Sequence, residues 1–220
     1  MNSWEDIQTK IWACELCSRH GRVAYNIRQQ TQKPDRPVKL LLMGIAPPYV
    51  RGVMQKTHAK SATNNADDNL RKLFILETLR LSWNDLLVRG LFLVHSVKCA
   101  IIPEDRHQNP PDDVVDACAP RHFGEELKLI QPPRIVAFGK ASYRALLKVP
   151  GMTAPRNLRV SRPVATLAEQ TRGGLEVQAD GWKFRLHVSP FPLAAGQRVP
   201  LAVEVLQEAA QLSGILASAG

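Results

Sequence analysis

Four cysteines and one histidine-bearing strand end are the parts of this 220-residue sequence whose types and spacing suit chemistry. Cys14 and Cys17 form a CxxC, "CELC"; Cys99 closes the run "LFLVHSVKC", and Cys118 lies in "DDVVDAC". Two thiolates from a tight turn and two from elsewhere suffice for a four-sulfur site, holding either zinc or an iron–sulfur cluster. Ordinary buried thiols are the competing reading, but four cysteines with none left over favour a site. The second feature is "WKFRLHVSPFPLAAG", residues 182–196. Trp182, Phe184 and Leu186 alternate with Lys183, Arg185 and His187 as in a strand. Pro190 and Pro192 then remove two ladder donors and stop it. His187 and Ser189 are thereby expected at the last residues of a strand.

The elements that position these residues are legible as periodic runs. Apolar stretches at 38–44, 91–97, 134–139 and 183–189 predict four buried strands. Helical patterns separate them, which indicates an α/β protein with a central, mainly parallel four-stranded sheet covered on both faces. Helices are expected over residues 4–16, 67–81, 110–130, 140–149 and 199–216, with Pro120 kinking or interrupting the third. Residues 150–181 read as a long basic excursion with little regular structure. The four strands run into "GIAPPY", "KCAIIPEDRHQNP", "GKAS" and "HVSPFP". Ligands of open α/β sheets sit outside the carboxyl ends of the strands, so these loops define the candidate rim.

Bulk properties narrow the class. An apolar content of 45% over 220 residues provides one substantial core, and a single domain over 1–220 is expected. No apolar run approaches a membrane span, and "MNSWEDIQTKIWAC" lacks the layout of a signal peptide, so a soluble, cytoplasmic protein is expected. Lys and Arg number 29 against 20 Asp and Glu, a net charge of +9. That excess favours a polyanionic partner, and nucleic acid is the commonest one.

Taken in order, "CELC", "GIAPP", "VKCAIIPEDRHQNPPDDVVDAC", "LIQPPRIVAFGKAS" and "HVSPFP" resemble the motifs of the iron–sulfur uracil-DNA glycosylases, the fourth and fifth families of that superfamily. The resemblance spans roughly residues 11–200. It implies a three-layer α/β/α sandwich and a structural [4Fe–4S] cluster on Cys14, Cys17, Cys99 and Cys118. It also implies a monomer acting on DNA that contains a damaged base, flipping that base out and hydrolysing its N-glycosidic bond. His187 matches the histidine of the family's HPSP loop, whose role is to donate towards the uracil O2 and stabilise the leaving anion. Ser189 and Pro190 match the residues that hold that loop against the DNA.

The chain departs from the family pattern at several positions. The family's GEAPG loop carries a glutamate where Ile45 stands, so this loop resembles the GLAPA variant. It offers the backbone amides around Ile45 and Ala46 but no acid. In that variant an aspartate before the next helix is thought to assist; Asp68 is its counterpart here, with Asp67 as the close alternative and helix capping as the competing role. The base-stacking phenylalanine falls on His58, and the base-reading asparagine falls on His95. Val188 follows His187 in place of proline. Arg51, Lys56, Lys60, Arg106 and Arg198 are candidate phosphate contacts. These departures bear on uracil specificity: the expected substrate is uracil or a related deaminated base, and a pocket lined by His58, His95 and His187 favours deaminated purines or another lesion. The alternative is a catalytically silent DNA- or nucleotide-binding relative that keeps fold and cluster.

Overall fold

The computed structural model describes residues 3–28, 33–47, 57–58, 69–102, 109–153, 155, 158–194 and 197–217. Its strands are β1 (Val23–Arg28), β2 (Leu40–Gly44), β3 (Thr57–His58), β4 (Leu91–His95), β5 (Cys99–Ile101), β6 (Arg134–Phe138), β7 (Met152–Thr153), β8 (Leu175–Ala179), β9 (Trp182–Ser189), β10 (Leu193–Ala194) and β11 (Gln197–Arg198). The helices are α1 (Trp4–Ala13), α2 (residues 69–79), α3 (Trp83–Val88), α4 (residues 112–130), α5 (Gly139–Leu147), α6 (Val164–Gln170) and α7 (Pro200–Leu212).

The expected α/β architecture is present, but the main sheet has six strands, not four, in the order β4-β2-β6-β9-β8-β7. The four expected strands are its parallel centre, with Gly44 opposite His95 and Phe138 opposite Ser189. The two extra strands come from the segment read as irregular. β8 runs antiparallel to β9, with Ala179 opposite Trp182, and β7 pairs antiparallel with β8. Asp180 (φ 38°) and Gly181 (φ 90°) make the β8–β9 connection, the two-residue left-handed turn that matches strand twist. A separate sheet, β3-β1-β5, stands outside the main one.

Alternation along the strands builds two cores. Leu41, Met43, Ile135, Ala137, Leu186 and Val188 pack on one face with residues of α4 and α5, including Phe123, Tyr143 and Leu146. Leu40, Leu42, Val136 and Phe138 pack on the other with α2, α3 and α7, through Phe74, Leu86, Leu206 and Ala210. Helices on both faces are compatible with an α/β/α sandwich. Phe74 meets Phe138 edge-on, at 5.7 Å between ring centroids and 86° between planes, a favoured aromatic geometry.

Pro120 does not break α4. Residues Ala119–Phe123 adopt a π-helical turn, in which the Gly124 N–H donates to the Ala119 carbonyl five residues back. The wider turn carries the proline, which has no N–H to place. α1 starts on a capping box, Ser3 Oγ accepting from Asp6 N at 3.1 Å and Asp6 Oδ2 accepting from Ser3 N at 2.9 Å. No helix among the described residues is long and apolar enough to cross a membrane.

Candidate functional site

The cysteines arrive from three separate elements. Cys14 and Cys17 follow α1, Cys99 opens β5, and Cys118 lies in α4. All four are free, and all four line one cavity, together with Ile11, Leu16, Lys98 and His122. Burial pushes the Cys118 thiol up to about 12, and the nearby Cys99 and Cys17 add to the rise. Burial, with Cys14 beside it, also raises Cys17. These mutual influences mark the four sulfurs as neighbours. The Lys98 N–H donates to Cys118 Sγ at 3.4 Å. Among the described residues no side chains are drawn into a ready-made metal-ligand group. A soft, four-sulfur donor set around a largely apolar wall suits a tetrathiolate centre, zinc or iron–sulfur.

A buried polar linkage runs from this cavity to the rim. Lys98 is 1% exposed and forms an ion pair with Glu126 Oε2, itself 0% exposed. Lys98 Nζ also donates to the His95 carbonyl at 2.5 Å. Gln8 Nε2 donates to Glu126 Oε1 at 2.9 Å, tying in α1. His95 itself is buried and its ring lies close against Gly44. A Cβ on Gly44 would stand 2.7 Å from His95 Cδ2, so only glycine fits opposite this ring. Beyond the strand, Ser96 N donates to the Gly44 carbonyl at 3.1 Å and Val97 N to the Ile45 carbonyl at 2.8 Å. Ile45 and Ala46 are half-buried against the α4/α5 core.

His187 lies near the end of its strand, as expected, but buried rather than open at the rim. It stands two residues, about 7 Å, short of the end of β9, and is 1% exposed. Alternation puts its side chain on the α7 face of the sheet, where it lines a small polar cavity with Arg172, Glu204 and Glu208. Arg134 Nη1 lies 2.8 Å from His187 Nε2. Arginine has no acceptor, so Nε2 accepts and the ring hydrogen sits on Nδ1. Nδ1 has no hydrogen-bond partner; Glu208 Oε2 is 3.7 Å away, too far for a hydrogen bond. Burial, and then the Arg134 charge, lower the His187 pKa from 6.5 to about 4. Desolvation and Arg134 outweigh the carboxylate, and the ring is neutral at pH 7. Gly174 makes room for the pair: at φ 84° its added Cβ would meet Arg134 Nη1 at 2.5 Å and His187 Nε2 at 3.0 Å.

The structure therefore brings together the four cysteines, and it places His95 beside the "GIAPP" loop. It does not bring His95 to His187. Three inter-strand steps separate β4 from β9, about 14 Å across the sheet. His58 pairs with Arg28 in the small sheet, whose other edge carries Cys99; its side chain lies outside the described residues. Asp67, Asp68, Arg51, Lys56, Lys60 and Arg106 also lie outside them, as does the Arg198 side chain. Ser189 is fully buried, its hydroxyl donating to the Pro190 carbonyl at 2.9 Å. Phe191 is 53% exposed between two prolines at the rim, and an aromatic so framed is a signal visible in the sequence. Nothing local marks Arg134, Lys98 or Glu126. No protein-family model matches the sequence, and no curated protein matches it.

Proposed function

We propose that this protein is a divergent relative of the iron–sulfur uracil-DNA glycosylases that hydrolyses the N-glycosidic bond between deoxyribose and a deaminated base in DNA. The observation that carries the reading is the meeting of all four cysteines on one cavity, in a chain whose motifs follow that family's order. Cys14, Cys17, Cys99 and Cys118 would hold a [4Fe–4S] cluster, which when bound supplies a cross-link between α1, β5 and α4. The bond-breaking step needs a donor for the departing base and stabilisation of a cationic sugar. In this reading neutral His187 is the donor. The amides of Ile45 and Ala46 hold the base or a water, and Asp68 orients the water or the sugar cation. His58 and His95 shape the pocket, Ser189 and Pro190 fix the loop, and Phe191 offers a face on which a base can stack. The net charge of +9 suits a DNA partner, bound by a monomer in the cytoplasm.

Two observations favour a second reading. His187 is held beneath α6 and α7 by Arg134, and Ile45 supplies no acid. A protein so built would bind DNA or a lesion without turnover. The two readings separate in one assay. The protein is loaded anaerobically with iron and sulfide, then incubated with labelled oligonucleotides carrying uracil, hypoxanthine or xanthine, and abasic sites are cleaved with alkali. Strand breaks that disappear in His187→Ala support the glycosylase. Tight binding without breaks, with breaks gained by Ile45→Glu, supports the silent relative. Neither binding nor breaks refutes both.

A further inference from the structure

Between His95 and Cys99 the chain passes from the rim to the cysteine cavity in three residues, and each holds a different part of the molecule. Ser96 donates to the Gly44 carbonyl from its backbone (3.1 Å) and to the Ile45 carbonyl from its hydroxyl (3.1 Å). Val97 N donates to the Ile45 carbonyl. Lys98 turns both ways, its backbone N–H to Cys118 Sγ and its Nζ to the His95 carbonyl and Glu126. A buried ion pair is no better for stability than apolar side chains of the same volume. The arrangement therefore calls for another use of the charge, and a charge-assisted hydrogen bond to a strand-end carbonyl is one.

We propose that Lys98 is a positioning residue that couples the cysteine centre to the rim, fixing His95 and the Gly44–Ile45 turn in register with Cys118. Val97 and Cys118 also share one apolar cluster, against which Ile45 and Ala46 pack; Lys98 adds directed hydrogen bonds to that packing. With Lys98 in place, ordering of Cys118 by a bound metal or cluster is transmitted to the amides of Ser96 and Val97. The Lys98 links stand on the geometry; the response to a bound metal or cluster rests on the proposed cysteine centre, and the consequence for oligonucleotide binding rests on the DNA reading.

The test is amide hydrogen exchange at Ser96 and Val97, with β6 amides as the internal control. Lys98→Met alone strands Glu126 and threatens folding, so the variant of choice is Lys98→Met with Glu126→Leu, which removes both charges. The expected result is a folded protein in which Ser96 and Val97 exchange at least about tenfold faster while β6 is unchanged, since losing the Lys98 Nζ bond to the His95 carbonyl loosens the strand end that carries these two amides and appears as local opening. A folded double variant with wild-type exchange at both amides overturns the coupling. A second measurement needs no variant. In the wild-type protein, loading with iron and sulfide slows exchange at Ser96 and Val97 about tenfold relative to chelator-treated protein; equal exchange with bound iron and sulfide confirmed by metal and sulfide analysis overturns the proposal, whereas failure to bind iron removes the cluster reading and leaves the double variant to decide the coupling. Anisotropy with a uracil-containing oligonucleotide completes the set. Accelerated exchange in the double variant, with no binding even by the wild type, leaves the coupling standing and removes the DNA reading instead.

Discussion

Replacing His187 with glutamine isolates the energetic consequence of burying that ring. Glutamine keeps an acceptor for Arg134 but cannot titrate. In the folded protein the His187 pKa is about 4, against an ordinary 6.5 that the unfolded chain retains. The unfolded state therefore binds the proton more readily, and stability rises with pH between the two values. The contribution is fully present above about pH 6.5 and is lost as pH falls through about 4. The difference of 2.5 units, at about 1.36 kcal/mol each, amounts to about 3 kcal/mol. Urea unfolding followed by tryptophan fluorescence, from about pH 7.5 down to about pH 4, measures it. The stability of the wild type relative to His187→Gln should decline by up to about 1.4 kcal/mol per pH unit across that window. Carboxylates common to both proteins cancel in the difference. Parallel curves would refute the reasoning and place His187 in a more hydrated setting than the structure gives it.

Three further outcomes follow from neighbouring contacts. Gly174→Ala forces a left-handed residue against Arg134 and His187, and should cost at least about 1–2 kcal/mol in denaturant unfolding. Thr171 Oγ1 accepts from Val188 N at 2.8 Å and donates to the Leu167 carbonyl at 2.9 Å. Thr171→Val strands that buried N–H and should lower stability by about 1–3 kcal/mol, read by the same unfolding measurement. Phe191→Ala should leave stability within about 0.5 kcal/mol, because the ring is exposed. If a base stacks on it, oligonucleotide affinity measured by anisotropy should fall by roughly 1–3 kcal/mol.

The parallel centre of the sheet was legible because its strands are buried on both faces and read as unbroken apolar runs. The hairpin was missed although Asp180-Gly181 is a turn signal; the alternation of Leu175, Val177 and Ala179 is only five residues long and follows a stretch rich in proline, glycine and arginine. The cysteine site was legible as a count and a spacing, and those features survive any folding of the chain. The partners of His187 were not. Arg134 lies 53 residues away, and its approach depends on the register of β6 against β9 and on the absence of a side chain at Gly174. Sequence alternation correctly put His187 on a strand. It did not say which layer of helices that face of the strand would meet. Lys98 was equally silent, since a lone lysine in "VHSVKC" looks like ordinary solvated charge until Glu126 is placed opposite it.

The π-helical turn in α4 has an angular consequence. Cys118 and Glu126 are eight residues apart, so on a uniform α-helix, at about 100° per residue, they would point about 80° apart. The turn absorbs one residue, and the remaining seven bring the two side chains to within about 20° of each other. A pair that would have straddled two helix faces becomes a heptad-like pair on one stripe, facing the same residue: Cys118 meets the Lys98 backbone N–H and Glu126 its ammonium group. Pro120 thus acts as a phase shifter. Lengthening or shortening the chain by one residue there would rotate the carboxylate away from Lys98 while leaving every residue of the cysteine motif unchanged.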